Sequence, residues 1–173
     1  MKTILLLLLS VLLHVSVAQA CSCVTTGKSE RQKIADAYRQ DALIFVGRVV
    51  SIDTVTTTDT VRVSDTGPAA QQFQLIRHEK LRYTFAVARQ FKGTATGPTV
   101  LVASEISSAS CGKHFAVGSE QLVYAFLVTQ KESVYGGELE DVTPYYATSL
   151  CNRSQELKSV KRAELKQLAK ASK

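Results

Sequence analysis

The chain is poor in the residues that most enzymes spend on chemistry. Of its three histidines, only His78 and His114 lie beyond the first twenty residues. Neither stands in a metal-ligand spacing such as H-E-x-x-H, which excludes the common helical zinc site. No glycine-rich phosphate loop is present, and no internal repeat. No apolar run beyond the first twenty residues is long enough to cross a bilayer. Glu138, Glu140 and Asp141 cluster near a turn signal, where carboxylates are ordinarily just solvated. Asparagine occurs once, as Asn152. The expectation is a chain that is not an enzyme and has no cofactor of its own.

What is present begins with a leader. Lys2 supplies a short positive start, and Ile4 to Leu13 is apolar except for Ser10. That run is too short for a membrane span. Ala18-Gln19-Ala20 fits the small-x-small cleavage rule, so residues 1–20 read as a signal peptide. A lipobox also puts cysteine at +1, but it wants leucine at −3, where Ala18 stands. The expected mature chain, 21–173, suits one secreted domain with no membrane span. It keeps 20 basic residues against 15 acidic ones, since only Lys2 is lost, for a net charge of +5. That mild charge allows weak attraction to an acidic matrix polysaccharide.

All four cysteines, Cys21, Cys23, Cys111 and Cys151, lie in the mature part. An even count in an exported chain points to two disulfides, which leaves no thiol for a cysteine–histidine nucleophile pair. Cys21 and Cys23 are too close to pair comfortably, so two connectivities remain open. Either one ties the terminus to distant chain. A zinc site on Cys21 and Cys23 fits poorly, because Cys-x-Cys is shorter than the usual two-to-four-residue spacer. Cleavage after Ala20 would make Cys21 the first residue. A terminal cysteine held by a disulfide presents an α-amino nitrogen and a carbonyl oxygen on a rigid backbone, able to chelate a metal that belongs to another protein.

Between the cysteines the pattern is mainly β. Ser29 to Asp41 reads as a helix, with Ser29 and Gln32 as a capping box and Ile34, Ala37 and Tyr38 as an apolar stripe. Ala42 to Ile52 is a strand in which Gly47 marks a sharp coil. Residues 53–79 are threonine-rich and polar, with a turn at Asp65-Thr66-Gly67-Pro68, and read as a protruding hairpin or a mobile loop. Leu81, Tyr83, Phe85 and Val87 alternate along a second strand that Lys92-Gly93 ends. Thr99 to Ala103, Gln121 to Val128 and Val142 to Leu150 complete five strands. Gly136-Gly137 is a turn, and Pro144 predicts an edge position for the last strand. Asn152 or Ser154 is placed to cap a basic C-terminal helix over 154–170, with Leu157, Val160, Leu165 and Leu168 on one side. Five strands with helices near both ends predict a small closed barrel of the oligonucleotide/oligosaccharide-binding (OB) type. Nucleic acid is not the expected ligand, because Tyr83, Phe85, Tyr124 and Phe126 fall on core periods and leave no stacking platform. Asn152-Arg153-Ser154 is a glycosylation sequon.

Several segments together resemble the tissue inhibitors of metalloproteinases. Cys21-Ser22-Cys23-Val24 looks like the mature start of that family. Phe45-Val46-Gly47, Phe91-Lys92-Gly93, Ser110-Cys111-Gly112 and Ala147-Thr148-Ser149-Leu150-Cys151 are similar to later family segments in the same order. The resemblance covers only the family's N-terminal inhibitory domain, a netrin-like module with a five-stranded barrel. It implies the pairings Cys21–Cys111 and Cys23–Cys151. It implies that the Cys21 amine and carbonyl chelate the catalytic zinc of a secreted or membrane-anchored metalloprotease. Ser22 would enter the S1′ pocket, Cys23 and Val24 would follow the primed side, and Ala109 and Ser110 would fill the unprimed side. The chain departs from the family in having four cysteines instead of twelve. It lacks the pair that ties the early loop to the end of the module, and it lacks the second domain. Thr25-Thr26 stand where proline is common. The alternative is a netrin-like module that inhibits nothing and binds a matrix or cell-surface partner through Lys158, Lys161, Arg162, Lys166 and Lys170.

Overall fold

A computed structural model describes residues 21–23, 28–68, 72–95, 97–132 and 139–172. The expected leader, Val24, Thr25-Thr26 and the Gly136-Gly137 turn lie outside them.

Helix α1, Glu30–Gln40, begins as its sequence requires. Ser29 caps it, accepting from the Gln32 backbone while Gln32 Oε1 accepts from the Ser29 backbone N–H at 3.0 Å. Ile34 and Ala37 are buried on its inner side. Six strands follow: β1 (Leu43–Arg62), β2 (Phe73–Lys92), β3 (Thr99–Glu105), β4 (Glu120–Glu132), β5 (Leu139–Ala147) and the two-residue β6 (Gln155–Glu156). Helix α2, Arg162–Ala171, comes last. Strand makes up 51% of the described residues, which are mainly β with two helices. The strand order is β1-β2-β3-β5-β4-β6, and a further β1–β4 pairing closes the first five into a ring. Only the β3–β5 contact is parallel.

Alternation along β1 and β4 builds two cores from the same strands. Leu43, Phe45 and Val49 point into the ring with Tyr83, Phe85, Val102, Phe115 and Val123. The Phe115 ring stands edge-on to Tyr83 and Phe85, at 5.0 and 5.4 Å. Ile44, Leu122 and Tyr124 point outward, where Ile34 and Ala37 of α1 and Leu168 of α2 cover them. Full burial of such side chains stabilises by about 1.5–3 kcal/mol each.

The structure corrects several expectations. β1 does not stop at Ile52 but runs to Arg62, and β2 starts at Phe73, so most of 53–79 is the hairpin of the two alternatives, a long ribbon paired from Asp53↔Arg82 to Arg62↔Phe73. β-branched residues on both strands favour that pairing. β5 is no edge strand, since it contacts both β3 and β4; Pro144 falls within the irregularity between Val128 and Gln130, where no ladder bond is needed. Phe126 is 37% exposed, because the outer face of β4 is covered by helix only as far as Tyr124. The last helix starts at Arg162, not near 154. Leu157–Ser159 is a 3₁₀ turn, and neither Asn152 nor Ser154 caps anything.

Those two side chains belong to a buried polar joint. Ser154 Oγ accepts from the Tyr124 N–H at 2.9 Å, and Thr148 Oγ1 donates to the Tyr124 carbonyl at 2.9 Å. Glu164, 3% exposed, accepts from Tyr124 Oη at 2.7 Å and takes both arms of Arg153 at 3.1 Å. Burial and the Glu164 contact push the Tyr124 phenol well above its ordinary pKa. Replacing Glu164 by Ala leaves the half-buried Arg153 guanidinium with only the exposed Glu30 carboxylate, and leaves the phenol unpaired. The expected loss is about 3 kcal/mol in chemical denaturation, against about 1 kcal/mol for Tyr124→Phe, which leaves the ion pair intact.

Candidate functional site

Three separate chain segments meet at the cysteines. The stretch Cys21–Cys23 is bridged by Cys21–Cys111 and Cys23–Cys151, one of the two open connectivities and the one the resemblance implies. The bridges touch, with Cys21 Sγ 3.9 Å from Cys151 Sγ. The sulfurs of Cys21, Cys111 and Cys151 lie within 4.8 Å of one another, but every cysteine is in a disulfide and none offers a thiolate to a metal. In the chain-entropy account, closing the 128-residue separation of Cys23 and Cys151 is worth about 5 kcal/mol. The second bridge then closes a loop of roughly forty residues, worth about 4 kcal/mol more.

The Cys111 segment is shaped by a single 3₁₀ turn, Ser108–Ser110. The Cys111 N–H bonds the Ser108 carbonyl and the Gly112 N–H bonds the Ser107 carbonyl, at 3.1 and 2.8 Å. That is a Schellman-type ending, with Cys111 in the left-handed region at φ 62°. A non-glycine residue there costs about 1 kcal/mol, and the bridge to Cys21 occupies the position regardless. Ser107 Oγ accepts from the Ala109 N–H at 3.1 Å. Gly112 has no room for a side chain: a Cβ would sit 2.1 Å from the Glu105 carbonyl oxygen and 2.7 Å from that of Ser107. Lys113 follows, its N–H donating to buried Ser104 Oγ at 2.7 Å; burial lowers the pKa of its ammonium.

The Cys151 segment is tied to the first. Leu150 N–H donates to the Cys111 carbonyl at 2.8 Å, and Thr148 N–H to that of Ala103 at 2.9 Å. Ser22, Cys23, Ala109 and Ser110 are exposed, while Cys21 and Cys111 are half-buried. Five of the six expected contact residues are thus described, all of them on or beside the two bridged segments.

Asn152 is spent on the interior. Its Oδ1 accepts from Ser149 N–H and Oγ at 3.0 and 2.8 Å, and its Nδ2 donates to Asp41 Oδ1 at 2.6 Å. The atom that would carry a glycan is therefore engaged with a carboxylate that is 3% exposed. Asp41 was not singled out in the sequence. An acid at the C-terminal end of a helix, facing the negative end of its dipole, was the available signal. Glu164 also left a mark, as an acid on the apolar side of a basic helix. Between the helices lies an apolar groove of about 220 Å³, lined by Ile34, Tyr38 and Leu168 among others and sharing no residue with the cysteine segments.

Burial raises the Asp41 carboxyl from 3.8 to about 6, against the pull of Lys92 and Asn152. An acid whose folded pKa is raised stabilises the fold most fully below pH 3.8, and that contribution fades as pH rises through about 6. Asp41→Asn keeps an acceptor for Asn152 and removes the desolvated charge. At pH 7 it is expected to stabilise by about 1–3 kcal/mol and to flatten the pH profile between about 4 and 7. Urea melts across that range check both, and an unchanged slope would refute the assignment. Gly112→Ala should lower stability by about 2–3 kcal/mol in the same assay, since the obstacle is backbone.

No protein-family model matches the chain, and comparison with curated proteins finds no match. The resemblance therefore rests on the short motifs and their order.

Proposed function

We propose that the chain is a secreted protein inhibitor of zinc metalloproteases, built on an OB-like, netrin-like barrel and acting through a mature terminus at Cys21. One observation supports this above the others. Cys21 and Cys23 are each bridged to segments that are themselves hydrogen-bonded to each other, beside an exposed Ser108–Ser110 turn.

In this reading the Cys21 α-amine and carbonyl oxygen enter the open coordination position of the target's zinc and displace its water. Ser22 points toward the S1′ pocket, and Ala109 and Ser110 cover the unprimed side. The bridges fix the donor direction before association, which reduces the entropy lost on binding. An α-amine has a reference pKa of about 7.7–8.0, so a useful fraction is neutral at physiological pH.

Two measurements test this. The form starting at Cys21 is assayed on a panel of zinc endopeptidases beside a form that retains Ala20. The expected result is inhibition by the first and at least roughly hundredfold weaker inhibition by the second, whose nitrogen is an amide with no lone pair to give. Inhibition by the first should also weaken from pH 8 to pH 6, once the protease's own titration is removed, because protonation takes the lone pair. No inhibition by a correctly bridged Cys21 form would eliminate the reading.

A further inference from the structure

Helix α2 divides its charges by face. Its only carboxylate, Glu164, points inward and is consumed by Tyr124, Arg153 and Gln155. Arg162, Lys166 and Lys170 are exposed. At four-residue spacing they rotate by about 40° per step, so they share an arc of about 80° and lie about 6 Å apart along the axis. That arc is opposite the face carrying Glu164 and Leu168, and the other exposed residue near it is Ala163. Lys161, at the cap, and Lys158, in the preceding turn, are also exposed, off that arc. Among the described residues Lys161, Arg162, Lys166 and Lys170 form no ion pair; Lys158 meets only Glu156, at 2.9 Å.

The arrangement weakens the helix that carries it. Like charges at i,i+4 repel. Lys161 and Arg162 stand at the positive end of the helix dipole, and no side chain caps that end. A bound anion would relieve both effects. We propose that this stripe is a docking surface for an extended sulfated polysaccharide, separate from the inhibitory terminus and sharing no residue with it. A row of cations on one line suits a linear chain of fixed negative charges. Among the described residues neither helix exposes a large apolar side chain that could enter a bilayer, nor an aromatic ring on which a base could stack. Those two absences favour polysaccharide over membrane and nucleic acid.

The test uses heparin as the probe and the mature, disulfide-bonded protein. The triple variant Arg162→Glu, Lys166→Glu, Lys170→Glu is compared with a control of equal charge change, Arg48→Glu, Arg77→Glu, Arg82→Glu, on exposed strand positions. Thermal melts verify that both fold. At physiological ionic strength the helix variant should bind heparin at least about tenfold more weakly than the parent, and the control within about twofold of it. Equal weakening in both variants would show that only net charge matters and would overturn the proposal. So would a parent that fails to bind heparin, or one that binds anionic lipid vesicles or single-stranded DNA as tightly. Protease inhibition by the helix variant, measured in parallel, keeps the two readings apart: its loss or retention bears on the terminus and leaves the heparin result to stand by itself.

Discussion

The ring closes because Ile44 to Arg48 is paired on both edges at once. Ile44 stands opposite Lys92 on one side and Tyr124 on the other. Within that stretch Ile44, Phe45 and Val46 alternate between the two cores, so pairing and packing are set together. A slip of one residue would send Phe45 toward the helices and Ile44 into the ring. The strand tolerates such crowding only where side chains are absent. At Gly47 a Cβ would lie 2.8 Å from the Ala86 carbonyl oxygen, where the β1–β2 register also shifts. At Gly93, φ is +83° and a Cβ would lie 2.5 Å from the Ala42 carbonyl oxygen. The end of β2 can approach the start of β1 because both positions are glycine.

Closure also places the polar joint. Tyr124 lies on the outer face of β4, within the segment that β1 pairs. Its backbone bonds Ser154 and Thr148, and its phenol bonds Glu164. The chain that leaves β5 is therefore fastened at Thr148 and Ser154 before and after Cys151. Asn152 completes the fastening by reaching Asp41 at the end of α1. The Cys23–Cys151 bridge thus hangs from a turn whose backbone is held by interior groups on both sides. Distortion at Tyr124 or Asp41 would reach Cys23 through these hydrogen bonds and the Cys23–Cys151 bridge.

Much of this could be read from residue patterns, and the failures have physical causes. The capping box at Ser29, the break at Gly93 and the alternation of Tyr83 and Phe85 are local signals, and local structure obeys them. The extent of β1 was hidden because Thr54, Thr56, Thr58 and Thr60 are polar. A ribbon exposed on one face needs no apolar alternation to stay extended, only a partner strand, and that partner is distant in sequence. The start of α2 was misplaced for the opposite reason. Asn152 and Ser154 have cap chemistry, but tertiary contacts with Asp41 and Tyr124 claim their side chains first. The cysteine spacing limited the bridges to two connectivities and could not choose between them. The choice depends on where the turn after β3 and the turn after β5 converge, a property of ring closure that spacing does not carry.

The structure holds helix α1 and the C-terminal segment together without a disulfide between them. Arg153 spans Glu30 and Glu164 at 3.3 and 3.1 Å. Gln167 Nε2 donates to the Arg31 carbonyl at 2.8 Å. Asn152 reaches Asp41, and Leu168 packs against Ile34 and Ala37. Each polar tie contributes about 1 kcal/mol, where a long-range bridge would contribute about 4. Three such ties and a shared apolar contact therefore reach a comparable total in the native state. They differ in kind from a bridge. A disulfide acts on the unfolded chain and keeps the two regions together when either opens, whereas these ties vanish with the native packing. The joint between α1 and the C-terminal segment is accordingly as firm as the fold and no firmer, while Cys21 to Cys23 remain anchored through local openings of either helix.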